Sequence, residues 1–82
     1  MSEDTTWLRD LLANVVPDMP EDPSVDLFAG GWLDSLKLVE AIELVEDRLG
    51  FEFGTEDMAA ERFSTLQAWV TTVAHARSRR GP

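Results

Sequence analysis

The sequence contains no cysteine and only one histidine, and no apolar run in it approaches the length of a membrane span. Without cysteine there is no disulfide framework, no thiolate metal site and no thiol nucleophile of the chain's own. One histidine excludes multi-histidine metal centres and leaves little for general acid–base work near neutral pH. A spanning helix needs about 18 or more apolar residues, and the N-terminal stretch is acidic rather than signal-like. A cytoplasmic location is therefore expected. Positive charge is scarce as well: seven Lys and Arg face sixteen Asp and Glu, a net charge of −9. Arg77, Arg79 and Arg80 lie in the last six residues, so residues 1–76 hold sixteen acids against four bases, or −12. Such a surface repels phosphate backbones, which makes nucleic acid a poor partner. It attracts basic protein surfaces, although acidity serving solubility alone would leave the same composition.

What is present is enough for one small folded domain. The chain has 82 residues, 44% of them apolar, which supports a modest core and argues against disorder. Four helical segments can be read, without a convincing strand pair. The first spans about Glu3 to Val16, with Trp7, Leu8, Leu11, Leu12 and Val15 on one face, and Pro17 disfavours continuation. A long connection from Pro17 to Asp34 follows. Its Val25, Leu27, Phe28, Trp32 and Leu33 suggest a loop packed on the core. The second helix runs from about Ser35 to Leu49, with Gly50 as its stop. At about 100° per residue, Leu38, Ala41, Ile42, Val45 and Leu49 form its inward stripe, opposite Glu40, Glu43 and Asp47. Leu36 and Val39 fall among or beside those acids. An apolar pair flanked by acids is a candidate docking surface, and single exposed apolar residues are also ordinary. The phenylalanines of Phe51-Glu-Phe-Gly are expected to anchor a loop. Thr55-Glu-Asp-Met suggests a capped helix of one or two turns. Ser64 and Gln67 fit a capping box opening a last helix over about Thr65–Arg77, with Leu66, Trp69, Val70 and Val73 inward.

Little here suits catalysis. A serine hydrolase needs a base and an orienting acid beside its serine, and the only histidine, His75, sits near the end of the last helix and reads as a solvated residue. The paired carboxylates lie on solvated helix faces, without the burial that a catalytic acid or base needs. Asp18, Glu21, Asp22 and Asp26 would hold a divalent ion weakly at best, and no metal is expected. An enzyme is not indicated. The informative stretch is Leu27-Phe-Ala-Gly-Gly-Trp-Leu-Asp-Ser-Leu, which opens into the second helix. Asp34 or Ser35 serves as its N-cap. A hydroxyl at a helix start is exposed, and the dipole there favours an attached phosphate. With no base nearby, such a serine suits modification by another enzyme better than attack on a substrate.

These residues resemble the acyl carrier proteins and their aminoacyl-carrying relatives. The likeness rests on Asp34-Ser35-Leu36 at the head of the second helix, Val39-Glu40, Glu46-Asp47-Arg48-Leu49-Gly50, Phe53 and Ser64-Thr65-Leu66-Gln67. It covers about residues 3–77. The resemblance implies an all-α fold: a four-helix acyl-carrier-type bundle with a long loop between helices 1 and 2 and a short third helix. It implies a carrier domain over residues 1–77, and the basic stretch 78–82 beyond it reads as a disordered tail. It also implies 4'-phosphopantetheine, transferred from coenzyme A by a phosphopantetheinyl transferase to Ser35, with Asp34 ordering the turn and adding charge. The arm supplies the thiol that the sequence lacks, and the chain acts by positioning and effective concentration. Leu36, Glu40, Glu46 and Asp47 match partner-recognition positions, and Val39 and Glu43 lie on or beside the same face. The implied partners are an acyl- or aminoacyl-loading ligase and a downstream transferase, synthase or thioesterase bearing a basic patch, met by a monomeric carrier.

Some positions depart from the fatty-acid carriers. Lys37 replaces their usual acid and Glu43 their usual methionine. Two residues, Trp32 and Leu33, separate Gly31 from Asp34-Ser35 where those carriers have one. That spacing is similar to D-alanyl carriers and to free-standing carriers of natural-product pathways, and the Gly-Gly-His-Ser form of modular peptidyl carriers is absent. Bulky Phe51, Phe53, Phe63 and Trp69 favour a small cargo. The expectation is a free-standing carrier of a short acyl or aminoacyl group as a thioester. The alternatives are a fatty-acid or polyketide carrier with a growing chain and, from another class, an unmodified helical interaction module.

Overall fold

Among the described residues, three α-helices wrap a core in which Leu8, Ala41, Val45, Phe63, Trp69 and Val73 are fully buried. The computed structural model describes residues 3–80: α1 (Glu3–Leu12), α2 (Ser35–Leu49) and α3 (Leu66–Arg80), with 3-10 segments at Thr55–Asp57 and Ala60–Phe63 before α3. No strand occurs among the described residues. The all-helical expectation is met. The four-helix count is not, because the anticipated short third helix is two 3-10 turns. An unbroken α-helix would set Asp57 and Phe63 about 120° apart. Both are fully buried, and the break at Met58–Ala59 lets both face inward.

Other boundaries also move for local reasons. α1 ends at Leu12 rather than near Val16. The Asn14 and Val15 N–H groups donate to the carbonyls of Leu11 and Leu12, at 3.2 and 2.9 Å, and the Asn14 side-chain amide also donates to Leu11 O at 2.9 Å. Those i→i+3 bonds and the competing amide tighten the chain out of the α-helix. At the start of α3 the Ser64–Gln67 box does not form. The Ser64 hydroxyl donates back to Glu61 O, Thr65 Oγ1 accepts the Ala68 N–H at 2.9 Å, and Gln67 N–H donates to Pro23 O at 3.0 Å. At its other end α3 continues past Arg77 to Arg80, so residues 78–80 of the expected disordered tail are helical. Residues 81 and 82 lie outside the described residues.

An aromatic stack fills the space beside α2 and α3. Phe53 and Phe63 meet edge to face at 5.6 Å, and Phe63 lies 4.6 Å from Trp69, distances typical of favourable ring pairs. On the outer side, the Arg48 and Arg77 guanidiniums lie 6.0 and 5.3 Å from the Trp7 ring centroid, so cation–π contacts link all three helices.

The long connection is tied down at both ends. Arg9 donates to Pro20 O at 2.9 Å and to Glu21 O at 2.7 Å. Leu27 N–H donates to Ser64 O at 2.6 Å, and the Leu27 and Leu33 side chains are buried. The expected core-packed loop is therefore present. Its consequence is that the chain enters α2 from a fixed direction.

Candidate functional site

Asp34 settles the capping question. Its backbone is extended (φ −135°, ψ −175°), and its Oδ1 accepts the Lys37 N–H at 2.8 Å while its carbonyl accepts the Leu38 N–H at 2.8 Å. That is the N-cap arrangement, which satisfies an otherwise orphaned donor. Ser35 is then the first residue of α2, exposed, and its hydroxyl makes no hydrogen bond among the described residues. The cap, which the sequence left to either residue, thus belongs to Asp34.

Asp26 organises the approach to this point. Its Oδ1 accepts the N–H groups of Phe28 and Ala29 at 2.9 and 3.0 Å, and its carbonyl accepts that of Gly30 at 3.1 Å. Leu33 N–H closes the loop onto Leu27 O at 2.9 Å. Asp22 does similar work upstream: the Ser24 N–H and hydroxyl bond to its Oδ1 at 2.9 and 2.7 Å, and they hold its carboxyl below the ordinary aspartate range. These two of the four acids weighed as metal ligands therefore serve local turns. Among the described residues no group of three or more His, Asp or Glu side chains is disposed to hold a metal ion.

Beyond Ser35, a stripe runs along α2. Leu36, Val39, Glu40, Glu43 and Asp47 are all exposed, and at about 100° per residue they fall within roughly 100° of one another. The stripe is about 16 Å long. Leu36 is 69% and Val39 52% exposed, an apolar pair set among the acids of the stripe. Glu46 behaves differently. It is half-buried, and its Oε2 accepts the Phe53 N–H at 2.8 Å, pinning the loop after α2. Met58, 50% exposed, is a third large apolar surface group, which no periodicity in its short segment could signal.

The hydroxyl's setting fits a phosphodiester-linked arm. It belongs to an exposed residue, makes no hydrogen bond among the described residues, and stands at a helix N-terminus, where partial positive charge stabilises a phosphate. The family model described as phosphopantetheine attachment site matches residues 6–73, most of the chain, and the chain belongs to that family. It is a carrier of 4'-phosphopantetheine and not a catalyst in its own right. No curated protein and no solved structure matches it. No helix among the described residues is long and apolar enough to cross a membrane.

Proposed function

We propose that Ser35 is the attachment residue and that this chain is a carrier for a short acyl or aminoacyl group in a natural-product or D-alanyl-type pathway. The observation that carries the reading is the exposed, unbonded Ser35 hydroxyl beside a carboxylate already committed to capping. Asp34 holds the turn, so modification of Ser35 leaves the helix start intact. When bound, the prosthetic group supplies a terminal thiol for thioester chemistry. The chain's own residues present it. The rigid approach from Leu27 to Leu33 restricts where the arm begins, and the exposed stripe on α2 offers apolar contacts flanked by charge.

That stripe suits brief, salt-sensitive docking by basic patches on a phosphopantetheinyl transferase, a loading ligase and a downstream transferase, synthase or thioesterase. Leu36 and Val39 would make the apolar contacts, and Glu40, Glu43 and Asp47 the charged ones. Glu46 contributes charge from a position already bound to the Phe53 backbone. The Phe53–Phe63–Trp69 stack supports a small cargo, since these rings occupy the interior a long chain would need. It weighs against a fatty-acid or polyketide carrier with a growing chain.

The test is intact-mass measurement before and after incubation with coenzyme A and a broad-specificity phosphopantetheinyl transferase. Wild type gains one phosphopantetheine and Ser35→Ala gains none. No gain on wild type with several transferases would leave an unmodified interaction module with Ser35 as an ordinary helix-start residue.

A further inference from the structure

Three residues upstream of Ser35, the edge of the Trp32 indole lies against Gly30: a Cβ there would collide with its Cζ3 and Cε3 atoms. Gly31, between them, turns the chain at φ +81°, a conformation that glycine alone adopts without strain. Two consecutive glycines would ordinarily leave this turn loose. Here the half-buried indole clamps it, and Leu33, 3% exposed, then plugs the chain into the core immediately before Asp34.

We infer that Trp32, seated on Gly30, is a positioning residue for arm attachment: by rigidifying the Gly30–Gly31 turn it fixes the direction in which Ser35 is delivered to the modifying enzyme. The inference rests on the assignment of Ser35 as attachment residue. Its logic is that of pre-organisation, in which a misdirected hydroxyl lowers transfer without unfolding the domain.

A double-mutant cycle tests it. Gly30→Ala displaces the ring from below, and Trp32→Ala removes it. Each should lower kcat/KM for phosphopantetheine transfer from coenzyme A by about tenfold. Trp32→Phe, which restores a flat ring, should recover most of the rate. Because both lesions break one contact, Gly30→Ala in the Trp32→Ala background should cost nothing further. Helical circular dichroism recorded on each variant separates misdirection from unfolding. Wild-type kinetics in both single variants, or fully additive losses, would overturn the role of Trp32. Wild-type protein that takes no arm at all would instead remove the Ser35 assignment.

Discussion

The Asp34 carboxylate accepts the Lys37 N–H at 2.8 Å, and this bond leaves the adjacent Ser35 hydroxyl with no structural duty. Capping falls to Asp34 alone, so the attachment proposed for Ser35 does not compete with it for an oxygen. A protein whose serine is to be covalently altered benefits from that separation, since helix stability then does not depend on whether the serine is modified.

The separation predicts opposite phenotypes for adjacent alanines. Asp34→Ala loses the cap and about 1 kcal/mol of stability, read as a lower thermal midpoint, while its hydroxyl acceptor remains. Ser35→Ala keeps its midpoint and helicity and cannot be modified. Equal destabilisation in the two variants would show that Ser35 shares the capping role.

Reversing charge along α2 should act on partners. Glu40→Lys combined with Asp47→Lys is expected to slow arm transfer by about tenfold at low salt, with the deficit shrinking as ionic strength rises. Its thermal midpoint should not fall. Glu46→Lys should lower the midpoint as well, because the Phe53 N–H loses its acceptor; Glu46→Gln, which keeps an acceptor oxygen, should preserve it.

The sequence made α2 legible because every local signal agreed there: Asp34 before it, an apolar stripe along it and Gly50 after it, which adopts φ 83° and donates its N–H to Glu46 O. The exposed placement of Leu36 and Val39 followed from the same wheel. What escaped depended on contacts between distant segments or on side chains competing with the backbone. Asn14 cuts α1 short, the buried pair Asp57 and Phe63 splits the third segment, and Thr65 takes the cap assigned to Ser64. Glu46 sits on a helix edge whose inward reach to Phe53 no helical period reveals. The Gly30–Trp32 contact carried a signal, a glycine pair next to an aromatic, but spacing alone says nothing of how the ring folds back.

Arg79 reaches from the end of α3 to the buried Asp57 carboxylate at 2.7 Å. The other carboxylate oxygen, Oδ1, is buried without a hydrogen bond, so the guanidinium is what offsets the burial of this charge. Arg79→Met should cost on the order of 2 kcal/mol or more, because it leaves an uncompensated buried carboxylate. A truncation before Ser78 should do the same. Chemical denaturation checks this, and an unchanged midpoint would return residues 78–80 to the status of a dispensable tail.

The aromatic interior makes a prediction about cargo. If octanoyl and acetyl forms of the loaded protein are compared, their thermal midpoints should coincide. Burying a longer chain would add about 0.8 kcal/mol per methylene, a shift easily seen in a domain of this size. A marked rise for the octanoyl form would mean that the Phe63–Trp69 region opens to admit it.

The attachment residue decides the function proposed for this chain. Wild-type protein modified with coenzyme A and a transferase should be digested and its peptides fragmented by mass spectrometry, with unmodified protein alongside. The account predicts a single phosphopantetheine, localised to Ser35. Modification at any other residue, or at an undiminished level in Ser35→Ala, would contradict it.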